Sequence, residues 1–158
     1  MAEKKQDAGQ KEELNDLMRV RREKMEKFRE MGVAPFGQRY EVTHHADRVL
    51  ADFASLGEEA EGDTEVSIAG RLMAIRGHGK ASFAVLMDLS GKIQIYFKLD
   101  VLGEEKYKEF KLLDIGDIIG VKGIVFRTRR GELTVRVDDF TLLSKSLRPL
   151  PEKFHGLK

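Results

Sequence analysis

A chain of 158 residues with 41% hydrophobic content suffices for one globular domain of ordinary size plus an appendage, and is too short for two independent cores. It has no cysteine, which excludes a disulfide framework and thiolate zinc sites, and no apolar run long enough for a membrane helix or a secretory signal, so a soluble cytoplasmic protein is expected. The net charge of +1 is unevenly spread: Asp52 to Glu65 holds six acids and no base, whereas from Val66 to Lys98 the only acid is Asp88, against Arg71, Arg76, Lys80, Lys92 and Lys98.

Residues 1–11 are polar and lack an apolar period, so they are expected to form a mobile terminus. From Glu12 to Met31, Leu14, Leu17, Met18, Met25, Phe28 and Met31 recur at helical spacing, and Gly32 and Pro35 supply the stop. The remaining faces of this helix interleave Arg19, Arg21, Arg22, Lys24, Lys27 and Arg29 with Glu23, Glu26 and Glu30, a pattern that suits a charge-compensated solvated face better than a phosphate track. A shorter helix is expected after Thr43 as N-cap, burying Val49, Leu50, Phe53 and Leu56 before Gly57. The acidic loop Glu58 to Glu65 then leads into the first strand.

Val66 to Phe97 reads as three antiparallel strands joined by glycine turns at Gly77-His78-Gly79-Lys80 and Ser90-Gly91. Leu102, Tyr107, Phe110 and Leu113 fit a short amphipathic helix, ended by Asp114-Ile115-Gly116-Asp117. A fourth strand follows over Ile118 to Arg127, where Gly120 and Gly123 suggest bulges or close backbone approach. The fifth, Leu133 to Val137, alternates clearly after the turn Arg129-Arg130-Gly131-Glu132. The domain reading is a terminus at 1–11, a helical extension at 12–65, a barrel at 66–144 and a linker at 145–158. Strand, strand, strand, helix, strand, strand is the order of the OB-fold, a five-stranded barrel whose strand 2–3 face and 1–2 and 4–5 loops commonly bind oligonucleotides. The fold class is thus mainly β, preceded by N-terminal helices.

Three residue types along these strands suit an unstacked base: a cation (Arg76), an aromatic ring (Phe83) and a side-chain amide (Gln94). Alternation places Gln94 with Tyr96 and Lys98, opposite Ile93, Ile95 and Phe97, and so on an exposed face. Its amide offers both a donor and an acceptor to the edge of a base. Phe83 lies in an unbroken apolar run, so parity leaves open whether it is a core ring or a surface one. Arg76 is as consistent with an ordinary loop-edge arginine. The turn at Gly77 to Lys80 lacks the spacing of a phosphate-binding loop, and no histidine has metal-ligand spacing, so no metal site and no catalytic residue are expected.

The helix leading into MGVAPFG, the block GRLMAIRGHGKASFAVLMD, GKIQIYF, KLLDIGDIIGVKGIVFRTRRGELTV and the closing LRPLPEKFHGL together resemble the N-terminal anticodon-binding region of bacterial class II lysyl-tRNA synthetases. The resemblance covers most of the chain, and the tail favours the lysyl enzymes over their aspartyl and asparaginyl relatives. It implies a tRNA-binding module that recognises the uridine-rich lysine anticodon. In that role Phe83 stacks on the central uridine, Gln94 and Arg76 contact the same base, and Glu132 faces a flanking base. Arg71, Lys80, Lys92, Arg127, Arg129 and Arg130 are candidates for phosphate contacts. Glu132 is equally readable as a charge partner within its arginine-rich turn. The resemblance places lysine, ATP and magnesium in a separate catalytic domain, so no cofactor is assigned to this chain and the chain alone is expected to be catalytically silent. It also implies a homodimeric parent with much of its contact in that domain, which leaves a monomer open for this piece. The alternatives are a freestanding, sequence-tolerant single-strand binder and a protein-interaction module docking through the methionine-rich helix.

Overall fold

In a computed structural model, residues 2–31 and 40–147 are described, with side chains described from residue 11 onward except at His78. A long helix α1 (Ala2–Glu30) and a short α2 (Ala46–Asp52) precede β1 (Glu61–His78), β2 (Ala81–Asp88) and β3 (Gly91–Lys98). Two short helices, α3 (Leu99–Leu102) and α4 (Glu104–Lys111), lead to β4 (Ile118–Arg127) and β5 (Leu133–Ser144). The strands close into a barrel in the order β1-β2-β3-β5-β4, with β3 and β5 parallel and the other pairings antiparallel. This is the expected OB-fold.

Helix α1 starts ten residues earlier than the apolar pattern predicts. Apart from Asp7 and Gly9, its first turns are built from Ala, Glu, Lys and Gln, which have high intrinsic helix propensity and need no buried face to continue an existing helix. Among its described side chains Phe28 is fully buried, whereas Leu17 and Val20 are exposed. Residues 32–39, which hold all of the MGVAPFG segment but its Met31, and the chain beyond Leu147, including most of the 145–158 linker, lie outside the described residues.

Thr43 does not cap α2. Its hydroxyl pairs with the backbone of Ser67 instead, accepting from Ser67 N at 2.8 Å. His45 precedes the helix, and the caps come from the β2–β3 turn: Asp88 Oδ2 accepts from Ala46 N at 2.8 Å and Ser90 Oγ from Asp47 N at 3.1 Å. Val49 is fully buried, Phe53 and Leu56 pack against the core, and Leu50 faces solvent. Strand β1 also begins within the acidic stretch expected to be a loop. Glu61 pairs with Phe126 of β4 and its carboxylate meets Arg136 at 2.9 Å, so the strand's charge is balanced locally.

The core is filled from inward positions of each strand, among them Ile68, Leu72, Leu86, Ile95, Val121, Val135 and Leu142. Helix α4 covers one region of it, with Phe110 stacked on Phe97 at 4.2 Å between centroids and Phe140 edge-on to Phe97 at 5.6 Å. Gly120 and Gly123 are both sites of close approach. A Cβ on Gly120 would enter the Tyr40 ring, and one on Gly123 would enter the Arg136 carbonyl at the bulge between Lys122 and Gly123.

The C-terminal half of α1 is tied to the barrel by charge. Lys145, at the exit of β5, has a fully buried side chain paired with Asp117 at 2.7 Å and Asp114 at 2.8 Å. Lys24 of α1 reaches Asp114 at 2.8 Å, and Arg21 donates to the Ser146 carbonyl at 3.1 Å. This anchor lies where β4 begins and β5 ends, at the opposite end of that pair from the β4–β5 loop.

Candidate nucleic-acid interface

The burial of β2 alternates, with Ser82, Ala84 and Leu86 inward, so Phe83 points outward. The ambiguity left by the apolar run is thereby resolved in favour of a surface ring. Cross-strand pairing then sets its neighbours: Arg76 of β1 lies opposite Phe83 on one side and Tyr96 of β3 on the other. The Phe83 and Tyr96 rings are 4.6 Å apart and tilted by 31°, so one side of Phe83 is braced by a second ring. Tyr96 in turn meets the edge of Phe126 at 6.0 Å, making an aromatic strip across three strands.

Gln94 takes the outward side of β3, as the alternation predicts, but it is not exposed: only 8% of it is accessible. The reason is its central position in the barrel. β2 and β5 flank it, Val85 and Thr134 are its cross-strand partners, and its Nε2 donates to Thr134 Oγ1 at 3.0 Å. Gln94 forms part of the wall of a pit, rather than a tip on a surface.

The β4–β5 loop forms the adjacent wall. Thr128 N donates to Glu132 O at 3.0 Å, Gly131 N to Thr128 O at 2.8 Å, and Glu132 N to Thr128 Oγ1 at 3.1 Å. Gly131 has φ of 86°, a left-handed conformation that glycine adopts without steric penalty. Arg127 braces this loop from beneath, and this corrects its reading as a phosphate contact. Its Nε, Nη1 and Nη2 donate to the carbonyls of Leu56 (2.6 Å), Gly131 (2.7 Å) and Ala54 (3.0 Å), so the guanidinium joins the loop to the segment after α2.

Arg76, Phe83, Gln94 and Glu132 all line one open cleft of about 620 Å³, together with Gly77, Thr128, Arg129 and Arg130. Residues up to 56 positions apart in sequence, Arg76 and Glu132, thus converge on one site. Arg129 is exposed and pairs at 2.7 Å with exposed Glu59, a surface contact that an incoming phosphate can replace at little cost. Arg130 and Glu132 are exposed on the same loop. Arg71 lies five residues before Arg76 on β1, about 16 Å along the strand, and does not line the cleft. Lys80 lines a separate recess with Tyr107, Lys108 and Lys111, and Lys92 is exposed on the outward side of β3 two residues from Gln94. Thr134, Tyr96 and Thr128 are missing from the sequence-based set. Tyr96 carried a signal in its shared parity with Gln94, whereas the parallel pairing that brings Thr134 to Gln94 has no local signature.

The cleft combines an open aromatic face, a recessed amide, exposed arginines and one carboxylate. That set can stack a base, read its edge and hold its phosphates. Among the described residues no group of three histidines or carboxylates is placed to hold a metal ion, and no helix is long and apolar enough to cross a membrane.

Residues 66–143 match the tRNA anticodon family, described as an OB-fold nucleic acid binding domain. The chain is 56% identical over 146 residues to a lysine–tRNA ligase of Carboxydothermus hydrogenoformans, a match that covers 92% of this chain and 29% of that protein. It is 53% identical over 151 residues to the lysine–tRNA ligase of Pelotomaculum thermopropionicum, covering 96% of this chain and 29% of the relative. For that of Bacillus cytotoxicus the figures are 52% over 149 residues, 93% and 30%. The chain spans about 30% of the length of these curated relatives.

Proposed function

We propose that the cleft of this chain, which belongs to the tRNA anticodon family of OB-fold nucleic acid binding domains and corresponds to the N-terminal region of lysine–tRNA ligases, holds the uridine-rich anticodon loop of a lysine tRNA. The observation that carries the reading is the convergence of Arg76, Phe83, Gln94 and Glu132 on one cleft. Phe83 stacks on the central uridine, with Tyr96 holding the ring from behind. Such a stack is worth about 1–3 kcal/mol and shows little preference among bases. Selectivity comes from the edge: the Gln94 amide meets the imino N–H and a carbonyl of uracil. Arg76 contacts the same nucleotide through a carbonyl or its phosphate, Glu132 accepts from a flanking base, and Arg129 and Arg130 attract the backbone.

In this reading the chain supplies recognition, and ligation of lysine to tRNA with ATP and magnesium belongs to the portion of the relatives that it does not span. The whole protein would act as a homodimer in the cytoplasm. The test is binding of the chain to a lysine anticodon stem-loop and to one with cytidine at the central position, at two salt concentrations, with Phe83→Ala and Gln94→Ala alongside. Loss of binding on the base change and in both variants is expected. Equal binding to both loops would leave a sequence-tolerant single-strand binder, and no binding to either would point to a protein partner.

A further inference from the structure

We infer that Thr134 is a positioning residue for base selection, fixing which end of the Gln94 amide faces the cleft. The inference rests on the anticodon reading above and adds a residue to it. A side-chain amide is ambiguous by itself: turned by 180° about its last bond, it exchanges donor and acceptor. Uracil presents an imino donor at N3, and cytosine presents an acceptor there. A freely turning glutamine can therefore pair with either pyrimidine, so the glutamine alone does not explain selection of uridine.

The structure removes that freedom. The Thr134 hydroxyl has one proton to give, and the Glu132 carbonyl, 3.3 Å away, is an acceptor within reach of it. With its proton given to that carbonyl, the oxygen is an acceptor towards Gln94 and takes the amide nitrogen, in keeping with the 3.0 Å contact from Nε2. Turning the amide would set two oxygens against each other in a site where Gln94 is 8% and Thr134 0% exposed. An unsatisfied buried contact of that kind is strongly disfavoured. The consequence falls on Oε1. Among the described residues no buried side-chain nitrogen or oxygen lacks a hydrogen-bond partner, and Oε1 makes no bond to any of them, so it is open to solvent at the cleft. The cleft thus presents a fixed acceptor beside Phe83, complementary to the imino N–H of uridine and repelled by the N3 lone pair of cytidine. The hydrogen bonds run from a loop carbonyl through Thr134 to Gln94, so the β4–β5 loop sets the polarity of the reading group without touching the base through it.

The test compares Thr134→Val, which keeps the β-branched shape and removes the hydroxyl, with Thr134→Ser, which keeps the hydroxyl. Each is titrated with the lysine anticodon stem-loop and its central-cytidine counterpart, with thermal unfolding as a check on the fold. The wild-type chain should prefer uridine. Thr134→Val should reduce the uridine-to-cytidine affinity ratio about fivefold to tenfold, the scale of one net hydrogen bond, mainly by gaining affinity for the cytidine loop, and Thr134→Ser should restore the ratio. Should Thr134→Val lower the unfolding midpoint, Thr134→Ala supplies the same comparison with a smaller side chain. An unchanged ratio in the hydroxyl-free variants, or an equal loss for both loops, would overturn the role of Thr134 while leaving the anticodon reading intact. A wild-type chain that binds both loops equally would overturn both.

Discussion

Phe83 and Phe97 are both phenylalanines in neighbouring strands, yet their outward and inward positions give them different work. Phe97 is fully buried between Phe110 and Phe140, and truncating such a ring costs about 3–5 kcal/mol of stability. Phe83 is half-buried with one side on Tyr96 and lines the cleft. Phe83→Ala should therefore weaken anticodon-loop binding by about 5- to 150-fold, the equivalent of one base stack, with a much smaller change in unfolding midpoint than Phe97→Ala. Paired binding and thermal-unfolding curves check this, and a Phe83→Ala chain that binds as the parent does would remove the ring from the site. The contrast also explains what one residue can reveal from sequence. Parity did not decide Phe83, because Val85 is outward and Leu86 inward in the same apolar run, whereas it did place Gln94 on the outer side. It could not give the burial of Gln94, since that depends on Thr134, 40 residues away and brought in by the parallel β3–β5 pairing.

At the scale of elements, the site depends on how loops are braced. The β4–β5 loop carries Arg129, Arg130 and Glu132, and its position relative to α2 is set by the three bonds of Arg127. Removing them in Arg127→Met should cost about 1 kcal/mol, because two part-buried carbonyls and one exposed carbonyl lose a charged donor, and should weaken RNA binding without touching the RNA. Arg127→Lys should rescue only part of either effect, since an ammonium lacks the planar fork that reaches three carbonyls in separate directions. Unfolding curves and loop titrations of both variants distinguish this brace from a direct phosphate contact. A direct contact would lower affinity and its salt dependence with stability unchanged. The presence of α4 was legible from apolar periodicity, although the single helix expected from Leu102 to Leu113 divides at Gly103 into α3 and α4, and β4 lies where it was expected, over Ile118 to Arg127. The capping of α2 by Asp88 was not, because the acceptor lies 42 positions away, and Thr43 carries the local signature of a cap while its hydroxyl serves Ser67. Asp88→Ala should accordingly destabilise the fold by roughly 1 kcal/mol, the usual value of an N-cap, and Thr43→Ala should leave the helicity of α2 unchanged by circular dichroism.

For the molecule as a whole, the charge that appears nearly balanced in composition is divided between two ends of the barrel. Arginines near the cleft are exposed, whereas Lys24, Lys145, Asp114 and Asp117 are committed to joining α1 to the barrel at the far end of β4 and β5. Salt should therefore weaken RNA binding through the first group and leave the second, partly or fully buried, nearly unaffected. Acid should do the reverse. Burial alone would push the Asp114 carboxyl up, but hydrogen bonds from Lys145 and Lys24, and their charges, more than offset this and hold it below the ordinary carboxylate value. A carboxyl lowered by folding contributes stability that is complete above its unfolded value of about 3.9 and is lost as the pH falls through the lower folded value. The α1–barrel contact should thus persist at pH 5 and weaken below about pH 4, as followed by hydrogen exchange of the α1 amides across that range. Asp114→Asn, which cannot carry the charge, should loosen α1 at neutral pH and flatten the response below pH 4. Release of α1 between pH 6 and 7 instead would assign the contact to a histidine. Because the cleft lies at the other end of the β4–β5 pair, a chain with α1 loosened by Asp114→Asn should still discriminate uridine from cytidine, which separates anchoring from reading.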